Sequence, residues 1–439
     1  MTCDTIGIGL AGFGTVGSGV WKTLTRNGEL ISDRTGGEVR LSIHKIAVRD
    51  LAKNRDAEAP AELFTTDLDA LVDDPSVDIV VELIGGTTRA FDLVARALEA
   101  GKPVVTGNKA LIAERGRELF ALSEKHRAPL LFEAAVAGGI PVIKALQESL
   151  VGNRIESITG IINGTSNYIL QRMTQAGLGY PEALKEAKEL GYAEADESLD
   201  VNGWDAAHKA IILASIAYGF LVDPAEVYVR GIEKVTPLDI KFASELGYVA
   251  KLLSLVCEHE DGSVEIRTQP SFVSQKHILA SVHGVFNAIA LRGDALGDSL
   301  FYGPGAGQGP TASSVVSDLV EAARALRNPS THRAFLPHAP GGRIRAIDDT
   351  STPYYVRFAV KDQPGVIAKI ATVLADAGIG ISGTHSPVDP DHPDADFLDL
   401  VFLLHRCPFG LLRETLLKVE ELDECLTDRP VVFRIEDLS

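Results

Sequence analysis

Apolar runs and helical patterns alternate along residues 5–150. The runs at 5–11, 39–48, 78–84, 102–106 and 129–132 read as strands, and the patterns at 16–26, 88–100 and 110–126 read as helices between most of them. That alternation predicts a parallel, doubly wound α/β sheet over 1–150. The pattern changes after residue 150. A strand over 155–162 comes first, then helices over 166–176, 180–190, 204–218 and 240–246. Strand-like stretches run from 248 to about 301, and a helix over 312–325 closes the section. This mixture predicts an α+β domain over 151–330.

The helix over 204–218 is the most informative element. Its body is nearly all apolar: Ala206, Ala207, Ala210, Ile211, Ile212, Leu213 and Ala214. Asp205 and Lys209 lie four apart and share one face. A surface helix separates charge from apolar surface. Here apolar residues spread around the helix, which predicts burial. Charges on a buried helix must be paired or face a wet cavity. An acidic run with Glu194, Asp196, Glu197 and Asp200 precedes it. A cavity lined by carboxylates and a lysine suits a small polar substrate carrying an ammonium group.

Residues 328–350 are rich in Pro, Gly and charge and read as a linker, assigned to 331–350. Beyond it, elements at 354–360, 366–377, 380–386, 397–404, 409–420 and 431–435 follow the order β-α-β-β-α-β. That is a ferredoxin-like split βαβ pattern and predicts a separate small domain over 351–439. The segment 386–396 departs from a tight hairpin and reads as an acidic, Pro-rich insertion.

Composition narrows the class. The chain has 439 residues, 45% hydrophobic and 23% charged, which fits a soluble globular protein of two or three domains. No apolar run reaches the roughly eighteen residues of a membrane span, and the N-terminus shows no signal-peptide pattern. The four cysteines, Cys3, Cys257, Cys407 and Cys425, are far apart and form no CxxC pair. This argues against zinc and a disulfide framework, and predicts a cytoplasmic protein. A net charge of −18 speaks against nucleic acid or an anionic membrane as partner. It leaves room for an anionic cofactor, because a phosphate site needs only local N–H groups and a few basic side chains.

Such a site is present in the sequence. Gly12-Phe13-Gly14-Thr15-Val16-Gly17 follows the first strand and opens a helix. Gly12 permits the tight turn, Gly14 lets a pyrophosphate approach the backbone, and Gly17 allows close packing of helix on strand. The helix N-terminus adds free N–H groups and a partial positive charge. The first domain is thereby predicted to be Rossmann-type. The second strand ends in 46–50, IAVRD. Arg49 stands where NAD-binding folds place an acid for the ribose hydroxyl, with Lys53 nearby. Both would attract a 2′-phosphate, so NADP is the expected cofactor, while Asp50 keeps NAD open.

With these features in hand, residues 5–330 resemble homoserine dehydrogenases. Two further motifs carry the resemblance: 106–110, TGNKA, just after a strand, and 301–307, FYGPGAG, followed by 310–312, PTA. The segments 163–169, NGTSNYI, and 190–198, LGYAEADES, match the same family. Residues 351–439 resemble an ACT domain, with 362–366, DQPGV, at the first strand-to-helix turn. The resemblance implies NAD(P)-dependent interconversion of L-homoserine and L-aspartate 4-semialdehyde, towards threonine and methionine. It also implies a catalytic and dimerisation domain over 151–330, and thus a homodimer, or a homotetramer if ACT domains pair.

Residue by residue, the resemblance implies that Lys209 and Lys109 serve proton transfer, with Lys209 as main acid/base. Such a lysine needs its pKa lowered by burial or a nearby cation. Glu194 and Asp205 match the residues that bind the substrate's polar groups. Asp200 has two readings, substrate ligand or helix cap. Gly164 and Thr165 would help at a strand-to-helix turn. The loop after Glu133 is implied to hold a monovalent cation, Na⁺ or K⁺, through the Glu133 carboxylate and the carbonyls of Val136, Gly138 and Ile140. Gly303, Gly305 and Ala306 lack long side chains and would lie against the cofactor. In the ACT region, Asp362, Gly365, Val366, Gly378 and Ile379 would form an effector pocket, with threonine the expected ligand; pure association is the other reading. His208 points off the Asp205/Lys209 face, which predicts packing or surface.

Two other activities were open to this sequence. An aspartate-semialdehyde dehydrogenase needs a nucleophilic cysteine, and no cysteine here has a convincing context. A catalytically dead amino-acid sensor would not need Lys109, Glu194, Asp205 and Lys209 together.

Overall fold

The strand that ends in the glycine loop is central to a parallel sheet. A computed structural model describes residues 5–53, 55, 57–193, 198–328, 335–386, 397–422 and 425–438. Its first sheet contains β1 (Thr5–Ala11), β2 (Arg40–Ala47), β3 (Phe64–Thr65), β4 (Ile79–Glu82), β5 (Val104–Thr106) and β6 (Leu130–Leu131). They lie in the order β3-β2-β1-β4-β5-β6, all parallel. The order reverses between β1 and β4, and a ligand crevice opens at the carboxyl ends of the strands at such a switch point. The helix after the glycine loop spans Thr15–Arg34, longer than the 16–26 expected, because Asn27-Gly28 does not end it. The two-residue β3 carries too short an apolar pattern to be read from sequence.

The second sheet contains β7 (Ile155–Ile161), β8 (Tyr228–Val229), β9 (Tyr248–Glu258), β10 (Ser263–Ser274), β11 (Phe286–Gly293), β12 (Gly297–Pro304) and β13 (Arg343–Ile344). It continues into β14 (Ser351–Lys361), β15 (Ile381–His385), β16 (Phe397–Pro408) and β17 (Val431–Glu436). Its main path is β12-β11-β7-β9-β10-β17-β14-β16-β15. The last four strands, with helices Val366–Asp376 and Phe409–Glu420 between them, follow the β-α-β-β-α-β order. The module has its own core around Tyr354, Phe358, Ile370 and Phe402. It is nonetheless joined to the sheet before it, because β17 pairs with β10 over Ser271–Val273 and Arg434–Glu436. The insertion at 387–396 lies outside the described residues.

Two helices decide how the sheets meet. Trp204–Tyr218 is buried from Asp205 to Ile216 and packs against β9 and β10. Gln308–Arg327, at the far end of the second segment, returns to the first sheet. Its Ala312, Val315, Leu319 and Ala322 lie in one core with Ile8, Leu10 and Val20. A Cβ on Gly19 would lie 2.5 Å from the Gln308 carbonyl, so that crossing requires glycine. The helix expected at 240–246 begins earlier, at Pro237, because Thr236 caps it by accepting from the Asp239 N–H. No described helix is long and apolar enough to cross a membrane.

Candidate active site

Two helices present their first turns to one buried carboxylate. Lys109 is the first residue of the helix Lys109–His126, which follows β5 and is capped by Asn108 accepting from the Leu111 N–H. Asp205 is in the first turn of Trp204–Tyr218. Its Oδ1 lies 2.8 Å from Lys109 Nζ, and its Oδ2 accepts from Lys209 Nζ at 2.7 Å. Lys209 also donates to the Ile162 carbonyl at 2.7 Å. Asn163 Nδ2 bridges Asp205 Oδ2 and Asp200 Oδ1, both at 2.8 Å. Asp200 is therefore in the carboxylate cluster, and Gly203, not Asp200, is the N-cap of the long helix.

Electrostatics separate the groups. Burial alone would raise the Asp205 carboxyl, but Lys209 and Lys109 outweigh it and hold it far below the usual carboxylate range. Burial pushes Lys209 down against the pull of Asp205, and the Lys109 charge adds to the drop. Burial, then the Asp205 charge, raises Asp200. The cluster thus combines an anchored carboxylate, an amine that burial makes easier to deprotonate and a carboxylate that gains from a cationic partner. It can move a proton and bind an ammonium.

Asn163 belongs to this cluster, and the sequence reading passed over it. The signal was available: its Oδ1 caps the helix Gly164–Ala176 by accepting from Ser166 N at 2.7 Å, a role its Asn-Gly-Thr-Ser context favours. Gly164 must be glycine, because a Cβ there would sit 2.6 Å from the Val285 carbonyl. Thr165 Oγ1 donates to the Tyr192 carbonyl at 2.7 Å. Glu194 lies outside the described residues. His208 is buried, 5.6 Å from the Trp204 ring and 3.7 Å from Glu114.

The glycine loop fits a dinucleotide. Gly12 has φ +98°, and a Cβ there would be 2.7 Å from the Leu83 carbonyl. A Cβ on Gly17 would be 2.2 Å from the Gly12 carbonyl. Around Gly14 the space is open to 4 Å, and the helix start has no side-chain cap, so its N–H groups are available to phosphate. Phe13 turns inward onto Phe64, which leaves the backbone to face the ligand with the exposed Thr15 and half-buried Val16. Arg49 and Lys53 are exposed just past β2. Arg55, not singled out from the sequence, binds the carbonyls of Asp50 and Lys53 and packs 5.1 Å from the Phe64 ring.

The loop after Glu133 meets the loop 303–307. Gly139 N donates to the Pro304 carbonyl, and a Cβ on Gly138 would lie 2.4 Å from the Gly305 carbonyl. A Cβ on Gly305 would strike the Asn287 side chain. Gly303 packs against Ile140, and Ala306 follows at the surface. Glu133 is buried and accepts from Ile143 N at 3.0 Å and Lys144 N at 2.8 Å. Burial, with the nearby Asp318 charge, pushes its carboxyl up to about 7. The Gly138 carbonyl accepts from Ser314, and that of Ile140 from Val142 N.

Lys251 was also missed, because a lysine in a strand reads as exposed. It is buried, and burial lowers it to about 8. It donates to Asn167 Oδ1 at 3.0 Å and to the Val282 carbonyl at 2.5 Å. A lysine depressed in the folded state contributes stability above its unfolded pKa and loses it as pH falls through its folded pKa. The stability of the wild type relative to Lys251→Met should therefore rise by on the order of 2 kcal/mol between pH 7 and pH 10. Urea unfolding at several pH values measures this, and a flat difference would contradict it.

A family profile described as "Homoserine dehydrogenase, NAD binding domain" matches residues 12–133, and one described as "Homoserine dehydrogenase" matches 141–320. The homoserine dehydrogenase of Pseudomonas aeruginosa is 43% identical, over 98% of this chain and 99% of its own. The chain belongs to the homoserine dehydrogenase family. It is an oxidoreductase acting on a CH–OH group with NAD(P)⁺ as acceptor. The crystal structure of a homoserine dehydrogenase from Thiobacillus denitrificans has a TM-score of 0.92 at 41% identity, covering 100% of this chain and 99% of that one. A hyperthermophilic archaeal homoserine dehydrogenase in complex with NADPH has a TM-score of 0.63 at 27% identity, covering 76% of this chain and 100% of its own.

Proposed function

We propose that Lys209 carries the proton in the interconversion of L-homoserine and L-aspartate 4-semialdehyde, with Lys109 as its partner. The observation behind this is the buried Asp205 carboxylate between the two lysines. In oxidation, neutral Lys209 takes the hydroxyl proton; in reduction, its ammonium returns a proton to the carbonyl oxygen. The lowering of Lys209 by burial favours the first. When bound, the nicotinamide cofactor supplies the hydride acceptor. Asp205 orients both lysines and contributes to binding the substrate's polar groups. Asp200 and Glu194 receive the substrate ammonium, and Gly164 and Thr165 shape a strand-to-helix turn of the site.

The preferred cofactor is NADP. Gly12–Gly17, Lys109 and the loop carrying Gly303, Gly305 and Ala306 would hold it. Arg49 and Lys53, with Arg55 beside them, support this, as does the NADPH complex of the archaeal relative. Purified protein with L-homoserine should reduce NADP⁺ faster than NAD⁺. The double substitution Arg49→Ala and Lys53→Ala should raise KM for NADP⁺ about tenfold or more through lost charge-assisted contacts, with little change for NAD⁺. Equal loss for both cofactors would remove these residues from 2′-phosphate recognition.

Further features belong to the same reading. A monovalent cation, Na⁺ or K⁺, at Glu133, Val136, Gly138 and Ile140 would keep the buried Glu133 carboxyl charged. Residues 351–439 form an ACT domain that binds threonine, at the turn holding Asp362, Gly365 and Val366 and at Gly378 and Ile379. Gly365 and Gly378 both have positive φ, as that turned backbone needs. The working division is 1–150, 151–330, a linker over 331–350, and 351–439, assembled as a cytoplasmic homodimer or homotetramer. The terminal strand β12 supports association, with exposed Tyr302 stacked 5.2 Å from Phe286. Varying threonine and salt in the same assay tests the effector and the cation, and sedimentation tests the assembly.

A further inference from the structure

A cavity opens between the helices whose first turns carry Lys109 and Asp205. It holds about 230 Å³ and is lined in part by residues 112–120 of one helix and 211–216 of the other. Its aromatic floor is Phe120, Phe132 and Phe335, with Phe120 5.6 Å from Phe132 and 5.1 Å from Phe335. Ile211 and Ile216 wall it from the buried helix. The rim is charged: Glu114, Arg117, Glu118 and Asp223. Arg115 grips both oxygens of Glu118, at 2.6 and 2.8 Å, which neutralises that carboxylate. The balance left at the mouth is two carboxylates, Glu114 and Asp223, and one guanidinium, Arg117.

We propose that this cavity binds an amino-acid-sized amphiphile: a compact apolar body joined to a primary ammonium. The volume sets the size, since an apolar cavity of about 150 Å³ accommodates benzene. The aromatic and isoleucine lining selects the body, and Glu114 with Asp223 selects the ammonium. Such a molecule is either a free amino acid or a simple amine. Arg117 distinguishes them, because only the amino acid offers it a carboxylate. The site communicates with the reaction by position. An occupant lies between the two helices whose N-terminal turns meet at the Lys109–Asp205 ion pair. A change in their spacing moves both lysines relative to substrate, and catalytic geometry tolerates little displacement.

The full chain is titrated with L-phenylalanine and with phenethylamine by calorimetry, and turnover of homoserine is followed at each concentration. Saturable one-to-one binding is expected, with kcat changing and no competition against homoserine. Ala113→Phe places a ring in the cavity and should weaken binding of both probes more than tenfold, and its turnover should no longer respond to either probe. Glu114→Gln, at an exposed position that does not threaten folding, should weaken both about tenfold. Arg117→Ala should weaken L-phenylalanine alone if the occupant is an amino acid; stronger binding of phenethylamine would assign the site to amines. The proposal is overturned if neither probe binds the wild type, if binding survives both Ala113→Phe and Glu114→Gln, or if binding competes with homoserine. Binding is read independently of turnover, so this outcome is separate from that of the proposed proton transfer.

Discussion

Lys209→Ala is expected to lose about 10²- to 10⁴-fold in kcat for homoserine oxidation, the range a positioned general acid/base supplies. The loss arises on two levels. The amine that would take the hydroxyl proton is removed, and Asp205 loses one of the two cations that hold it charged in a buried site. Lys209→Arg keeps the charge, and with it much of the fold, but an arginine does not deprotonate near neutral pH. It should therefore stay nearly as inactive as the alanine variant while melting closer to the wild type. The loss should appear in kcat more than in KM, because the amine acts on the reacting hydroxyl rather than on the substrate's other groups. Turnover of Lys209→Ala within tenfold of the wild type would move the proton-transfer role elsewhere, with Lys109 the next group to test.

Arg267→Leu is expected to destabilise the protein by about 3–5 kcal/mol, the usual consequence of stripping one partner from a buried ion pair. Arg267 is almost fully buried on β10 and binds Glu436 of β17 through two bonds, at 2.6 and 2.8 Å. Its Nε also donates to Glu265 at 2.5 Å. Burial opposes the charge on Arg267, but Glu436 and Glu265 more than offset it and hold the guanidinium protonated. Removing it leaves Glu436 in the protein interior without that partner. The double variant Arg267→Leu with Glu436→Leu should recover much of the loss, since a packed apolar pair can replace a buried ionic one. Urea unfolding of the two singles and the double yields the coupling energy. A loss below about 1 kcal/mol for Arg267→Leu would show that the β10–β17 seam rests on the backbone ladder and on packing such as Phe272 against Phe433, stacked at 4.6 Å.

That seam was not legible in the sequence. The six elements of the C-terminal module could be placed within a few residues because each carries a local period, of two for strands and 3.6 for helices. Nothing local says which strand edge remains open or what covers it. Arg267 and Glu436 are 169 positions apart and look like two ordinary surface charges. The helix Gln308–Arg327 teaches the same lesson. Its pattern is plain, but its partner is the sheet at the other end of the chain, and only packing shows that.

At the candidate site the balance differs. Asp205 and Lys209 were readable as a pair because a helix brings residues four apart onto one face, and the apolar body around them forced the question of what they pair with. Lys109, Asp200 and the glycine loop came from motifs on other elements. The Asn163 cap was a local signal, but its bridge between the two carboxylates and the burial of Lys251 depend on partners distant in sequence.

The amino-acid sequence by itself determined the longer elements, the parallel character of the first domain and the dinucleotide loop, and it put Asp205 and Lys209 on one helix face. These follow from periodicity and local backbone requirements, which act over a few residues. The tertiary structure decided which charges meet, how one sheet continues into the next, and where a cavity remains between two helices. Those outcomes depend on long-range packing and on desolvation, which take effect only when distant segments exclude water together.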